Sequence, residues 1–107
     1  LHQHHVVTLD VGEISVFVLD AVGVEQTIRV TAKSPGAPVS VYVYLNENDA
    51  EVERKITLGK PSDLILSSAE KSEEIAIEAK IPANKEAAVR IMSAGRQTAD
   101  VDLTITN

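Results

Sequence analysis

The sequence predicts an all-β protein, an antiparallel β-sandwich of eight or nine short strands, and three observations lead to this fold class. Apolar and polar residues alternate with period two, most clearly over Val39–Leu45, Glu74–Ile81 and 101–106. Successive side chains of a strand point to opposite faces, so such alternation is typical of strands with one buried face. Turn residues recur about every ten residues, as in sandwiches and barrels. Val, Ile, Leu and Ala supply nearly all of the apolar content, and β-branched residues favour sheets.

Turn signals divide the chain into nine predicted strands. Gly12, Gly23 and the proline-rich loop 34–38 separate the first four, and breaks at 59–61, 82–84 and 94–95 separate later ones. The predicted strands are 6–9, Ile14–Leu19, 27–32, Val39–Leu45, 51–58, 64–67, Glu74–Ile81, Ala87–Ser93 and 101–106. A helical alternative exists in two places: Ser67 with Glu70 has the spacing of a capping box, and residues 87–92 place four apolar side chains on one helical stripe.

The alternation also predicts which side chains form the core. One domain is expected to span residues 1–107, with residues 1–5 as a flexible terminus. The side chains expected on the inner faces are Val16, Val18, Ile28, Val30, Val41, Val43, Ile75, Ile77, Val89, Ile91, Leu103 and Ile105.

Charge and composition exclude several classes of function. The net charge is −6, and the ten basic residues are scattered, so binding to nucleic acid or to an anionic membrane is disfavoured. No apolar run approaches the roughly 20 residues that span a bilayer, so we expect no membrane insertion. The absence of cysteine rules out disulfides and thiolate metal sites. The chain begins at Leu1 without a signal peptide, which favours an excised domain or a processed product.

Several segments resemble the bacterial pre-peptidase C-terminal domain, a secreted β-sandwich of similar length. The resemblance covers residues 13–107. The segments that carry it are FVLDAVG at 17–23, QTIRV at 26–30, VYVYL at 41–45, AVRIMSAG at 88–95 and DLTI at 102–105. Two departures occur, at 38–40, where members usually carry an acidic residue, and at 85–88, where they usually have Gly-x-Tyr. An immunoglobulin-like sandwich remains the alternative fold.

This resemblance implies a jelly-roll-like sandwich and a non-catalytic accessory module. Such a module would be extracellular or periplasmic, and it would aid the secretion, solubility or attachment of a larger protein. Its expected partners are the parent protein or neighbouring domains, with an extracellular glycan or protein as a further partner. The alternative function is a ligand-binding module for glycan or calcium.

Tyr42 and Tyr44 are the candidate ligand-binding residues. They lie two apart on the polar side of the clearest strand, where exposed rings stack on a sugar or a peptide. Cross-strand pairing on a wet sheet face explains the same pattern.

Asn46, Asn48, Asp49 and Glu51 are the candidate metal ligands. Calcium takes several oxygen ligands, and an acidic loop after a strand can supply them. The glycine-marked twelve-residue calcium loop is absent, however, and Asn and Asp are ordinary turn formers. No cofactor other than calcium is expected.

Two further sets of polar residues are candidates for metal binding or acid–base chemistry. His2, His4 and His5 could hold Zn, Cu or Ni, but a terminal segment or a cloning remnant explains them as well. The paired acidic residues, Glu51 with Glu53 and Asp100 with Asp102, have the spacing of a solvated strand face. The sequence contains no Gly-x-Ser-x-Gly motif and no glycine-rich phosphate loop, so the prediction is that the protein is not an enzyme.

Overall fold

The computed structural model describes residues 1–107 as two four-stranded antiparallel sheets that face each other. The elements are β1 (His2–Leu9), β2 (Ile14–Leu19), β3 (Gln26–Lys33), β4 (Val39–Leu45), a 3-10 turn (Asn46–Asn48), α1 (Asp49–Thr57), β5 (Ile65–Ser72), β6 (Glu74–Ile81), β7 (Ala87–Ser93) and β8 (Ala99–Thr106). The first sheet has the strand order β1-β8-β3-β6, and the second has the order β2-β7-β4-β5. This is the eight-stranded jelly-roll arrangement, and it confirms the predicted all-β sandwich.

Most strands lie where the alternation predicts them. The bounds of β2, β4, β6 and β7 agree with the prediction, and β1, β3, β5 and β8 extend beyond the predicted ranges. The helical alternative for the segments around Ser67 and Ala87 is wrong, because both lie in strands.

The predicted strand 51–58 is wrong, because this segment forms most of helix α1. Val52, Ile56 and Leu58 lie two and four residues apart, and a spacing of four also places side chains on one face of a helix. The first turn of α1 is acidic and the last is basic, which suits the helix dipole. The Arg54 guanidinium reaches back to Glu51 at 2.6 Å, which adds an i,i+3 ion pair. No helix here combines the length and apolar content needed to cross a bilayer.

The expectation of a flexible terminus at residues 1–5 is wrong as well. Residues 2–5 belong to β1, where His2 pairs with Thr106 and His5 with Leu103 of β8. The Leu1 ammonium group also donates a hydrogen bond to Oδ1 of Asn107 at 2.9 Å. The last strand thus supplies the backbone partners that hold the first one in place.

The core lies between the two sheets and contains 19 buried residues. Nine of the twelve predicted core residues are buried, and Ile77 packs against them while remaining partly exposed. Val16 and Val18 are wrong: they are 39% and 48% exposed, whereas Leu19 is buried and Phe17 packs on the core. Residues 16–19 are continuously apolar, so alternation alone could not identify the inner face of β2.

The two faces of these strands can be distinguished by a matched pair of aspartate substitutions. Val43→Asp places an unpaired charge at a fully buried position, so it is expected to lower the free energy of unfolding by more than about 4 kcal/mol. Val18→Asp falls on the outer face of β2 and is expected to cost less than about 1 kcal/mol. Urea unfolding followed by circular dichroism measures both. Similar losses for the two variants would contradict the assigned faces.

Candidate ligand-binding groove beside the helix

Helix α1 covers part of the outer face of the second sheet. Beneath it, Tyr44 of β4, Ala88 of β7 and Val52 of the helix are all fully buried, and Ile56 packs against them. The prediction that Tyr42 and Tyr44 lie on a wet face is therefore wrong, because they are only 7% and 0% exposed. The helix replaces solvent as their environment, and the tyrosine rings become part of a second, smaller core.

A polar network lies under the helix, and Arg90 is at its centre. The Arg90 side chain projects from β7 and is only 4% exposed. Its Nε donates a hydrogen bond to the Tyr44 hydroxyl at 3.1 Å, and that hydroxyl donates to Oδ1 of Asp49 at 2.5 Å. Nη2 of Arg90 lies 3.5 Å from Asp49 and 3.9 Å from Glu53. Carboxylates of the helix thus compensate a cation that is buried on the sheet, and this pairing anchors α1.

Burial changes the acid–base behaviour of this network. Burial, together with the hydrogen bond to Asp49, raises the pKa of Tyr44 to about 12, against the opposing effect of Arg90. Burial alone would lower the pKa of Arg90, but the Tyr44 hydroxyl and the charges of Asp49 and Glu53 raise it overall. Around neutral pH the tyrosine is therefore neutral, and the guanidinium stays cationic.

A groove opens where α1 ends. Its volume is 410 Å³, and its lining comes from β4, from the end of the helix, from the following loop and from β5. This volume lies within the range of small-molecule sites. Tyr42 and its cross-strand partner Ser68 belong to the sheet side of the groove. The lining residues are Tyr42, Ile56, Gly59, Lys60, Pro61, Ser62, Ile65, Ser68 and Glu70.

The groove combines apolar surface with several kinds of hydrogen-bonding group. Burial raises the pKa of the Tyr42 hydroxyl, and the charge of the neighbouring Glu70 carboxylate raises it as well. Tyr42 is therefore a neutral hydrogen-bond donor at physiological pH. Lys60 adds a cation, and Ser62 and Ser68 add hydroxyl groups. Apolar surface with surrounding donors and acceptors is suited to a polar ligand that has an apolar face, such as a sugar.

Three of the four predicted calcium ligands contact other side chains of the protein. The Asn46 amide donates to Glu86 at 3.3 Å, Asp49 accepts from Tyr44, and Glu51 forms an ion pair with Arg54. Asn48 is the residue before α1. No group of three or more His, Asp or Glu side chains that could hold a metal ion is present. Calcium binding thus stays a prediction.

The histidines lie on β1, and Asp100 and Asp102 lie on β8, away from the groove. Glu51 and Glu53 lie on α1, so their interpretation as a solvated strand face is wrong. His4 makes an ion-pair contact with Asp102, and the Thr8 hydroxyl donates to Asp100 at 2.9 Å. The His5 ring stacks on Phe17 with the ring centroids 4.3 Å apart. These contacts hold the edge of the sandwich together.

Several groove residues were not anticipated from the sequence. The sequence pattern presents Gly59, Lys60 and Pro61 only as a break between strands, and Glu70 only as part of a capping-box spacing. The signal that could have revealed them is the i,i+4 pair Val52 and Ile56, because a helix ending near Thr57 places the following loop against the sheet.

Comparison with known proteins shows what fold this chain shares. No family model matches the sequence, and no curated protein sequence matches it. Solved structures do match. The pre-Peptidase C-terminal Domain of Collagenase from Bacillus anthracis superimposes with a TM-score of 0.72 and 7% identity, over 99% of this chain and 90% of that one. The resemblance noted from the sequence is thereby confirmed at the level of the fold.

Two other bacterial proteins share the sandwich. The mitogen derived from Yersinia pseudotuberculosis superimposes with a TM-score of 0.68 and 8% identity, over 99% of this chain and 85% of that one. A periplasmic inhibitor of g-type lysozyme from Aeromonas hydrophila gives a TM-score of 0.59 and 10% identity, over 98% and 84%. The same fold therefore occurs in a domain of a collagenase, a mitogen and a lysozyme inhibitor.

The Tyr44 phenol should make stability depend on alkaline pH. Its pKa rises from 10.0 in the unfolded chain to about 12 in the folded protein, so above pH 10 the unfolded state binds fewer protons. The contribution is fully present below pH 10 and is lost as the pH rises towards 12, by about 2 kcal/mol. Urea unfolding between pH 9 and about 11.5 should show this loss for the parent protein and much less of it for Tyr44→Phe. Parallel pH profiles for the two proteins would contradict the assignment.

Proposed function

We propose that this chain is a non-catalytic accessory domain of an exported protein, located outside the cell or in the periplasm. The observation that carries the proposal is the match over 99% of the chain to the pre-Peptidase C-terminal Domain of a collagenase. The occurrence of the fold in a periplasmic inhibitor supports the same compartment. In this proposal the domain assists the secretion, solubility or attachment of the protein to which it belongs.

The distribution of ionisable groups supports a non-catalytic role. The network around Arg90 is used to hold the helix, and the His4–Asp102 pair lies on an exposed strand face. Each of these groups is engaged in contacts between neighbouring elements, so none of them is poised as an acid or base at the groove.

A deletion experiment in the source organism tests the accessory role. The natural protein is compared with forms that lack residues 1–107 or carry Val43→Asp, and the exported, soluble and surface-bound fractions are measured. Export, solubility or attachment is expected to fall severalfold, while the rest of the protein stays folded. An unchanged distribution, or a reading frame that encodes only this domain without an export signal, would refute the proposal.

Attachment through a glycan in the Tyr42 groove is the second function that we propose. Three features support it: the 410 Å³ volume, the neutral Tyr42 hydroxyl, and the carboxylate and hydroxyl groups beside it. Sugars combine apolar ring faces with hydroxyl groups, and this lining offers partners for both. On the acidic segment, Asp49 and Glu51 are engaged with Tyr44 and Arg54, so we favour glycan over calcium as the ligand class.

Glycan binding can be tested with two matched charge-removing variants. Oligosaccharides are first screened on an array, and those that bind are titrated into labelled protein by NMR. Shifts are expected at Tyr42, Ser68 and Glu70, and Glu70→Gln should weaken binding about tenfold through the loss of a charge-assisted hydrogen bond. Glu74→Gln, on the first sheet, should bind like the parent protein. Equal affinities for the two variants, or shifts confined to other surfaces, would rule out this site.

A further inference from the structure

We propose that the free edge of β2 binds an extended peptide segment that is apolar at alternate positions and carries lysine or arginine at its ends. This interaction would add a strand to the second sheet, a mode of recognition in which main-chain hydrogen bonds supply affinity and alternate side chains supply specificity. It is independent of the glycan groove, because β2 and β5 lie at opposite edges of the sheet.

The first support is the direction of the backbone groups of β2. The Ser93 amide of β7 donates to the Glu13 carbonyl at 3.2 Å, and Ile14 pairs with Met92 next to it. In an antiparallel pair, alternate residues bond to the same neighbour. The odd-numbered residues of β2 therefore bond to β7, and the amide and carbonyl groups of Ile14, Val16 and Val18 point away from it. No strand pairs with that side of β2.

The second support is the apolar character of the same three residues. Ile14, Val16 and Val18 are 42%, 39% and 48% exposed, and their side chains share the outer face of the sheet. An added strand with apolar residues opposite them would bury this stripe through cross-strand pairs. Six of the ten large exposed apolar residues of the protein lie between residues 11 and 24, in β2 and the segments that flank it.

The third support is that β2 lacks the features that protect other edge strands from pairing. Edge strands usually carry charges, prolines or bulges that discourage a new partner. Here β1 carries three histidines, β6 carries Glu74, Glu78 and Lys80, and β5 carries charges and two register shifts. The sequence of β2, ISVFVL, contains no ionisable residue and no proline, and its register with β7 is continuous.

Charge identifies the kind of partner. Glu13 and Asp20 immediately flank β2, and residues 1–28 contain Asp10 and Glu25 as well but no lysine or arginine. All four carboxylate side chains belong to exposed residues.

The nearby cations leave this acidic character in place. The Arg90 guanidinium is turned towards Tyr44 and Asp49, and Lys85 is paired with Glu47 at 2.7 Å. Arg96 lies three residues after Ser93, the β7 residue that faces Glu13. It contributes one positive charge against the four carboxylates. An apolar segment with cationic ends therefore complements the edge, whereas a second copy would bring four more carboxylates to it.

The test uses a synthetic probe, the capped peptide Lys-Lys-Thr-Val-Thr-Val-Thr-Lys-Lys, titrated into labelled protein by NMR. Saturable shifts and slowed hydrogen exchange are expected at the amides of Ile14, Val16 and Val18. Binding should weaken as salt is raised, because exposed charges are screened. A peptide that is N-methylated at the bonding positions should bind about tenfold more weakly or worse, through the loss of backbone hydrogen bonds. Equal binding of the methylated peptide would overturn strand addition.

Matched variants show whether the edge itself is responsible. Val16→Lys places a like charge on the edge and should abolish binding of the lysine-flanked probe. Val6→Lys, the same substitution at a 76% exposed position on β1, should leave binding of the probe unchanged. Val16→Pro removes an amide that β7 does not use, so the fold should survive while binding falls about tenfold.

Three results would overturn the proposal. The first is equal affinity for a probe with glutamate at its ends, which would remove the charge argument. The second is a set of shifts that bypasses β2. The third is concentration-dependent dimerisation of the parent protein that Val16→Lys suppresses, because the occupant would then be a second copy of this chain.

Discussion

The buried guanidinium of Arg90 ties the single α-helix to the outer face of the second sheet. It hydrogen-bonds to Tyr44, lies within ion-pair distance of Asp49 and Glu53, and has almost no contact with solvent. Breaking a buried pair of this kind leaves an uncompensated charge, so the helix and the sheet are strongly coupled. The position of the helix in turn places Ile56 and the loop after it opposite Tyr42, and this creates the groove. The candidate site thus depends on a network that does not itself line the groove.

The two sides of the second sheet differ in shape and in chemical character. On the β4–β5 side, the helix and its loop form a polar cavity that is suited to a small ligand. On the β2 side, the sheet ends in an uncharged edge with an apolar outer face. A jelly roll tolerates such differences because the interior between the sheets holds the fold, and the outer faces are free to acquire separate roles.

The sandwich was largely predictable from the sequence because one inner face imposes period two on the strands. Val39–Leu45 and Glu74–Ile81 were located this way, and their bounds are confirmed. The sequence does not show which face of β2 is buried, because Phe17 and its neighbours on both sides are all apolar. The N-terminal strand was missed because its stability comes from pairing with β8, at the other end of the chain.

The candidate site was harder to predict because it depends on the helix. The pair Val52 and Ile56 is compatible with both a strand and a helix, and interpretation as a strand left Tyr42 and Tyr44 on an open face. With the helix in place, Tyr44 becomes an anchor and Tyr42 part of a groove. Of the residues predicted to bind a ligand, Tyr42 alone lines this cavity. The environment of the two tyrosines depends on tertiary contacts with the helix, and a local sequence pattern carries no information about those contacts.

Native-state hydrogen exchange of the helix amides shows directly whether the Arg90 network holds α1 on the sheet. If Arg90, Tyr44 and Asp49 hold α1 on the sheet, the amides of Val52 to Ile56 open only with the global unfolding of β4 and β7. Their exchange free energies should then equal those of the buried strand residues Val43 and Val89. Rapid exchange of the helix amides while the strands remain protected would show that α1 opens on its own. In that case the groove would have no stable wall, and the account of the site would be wrong.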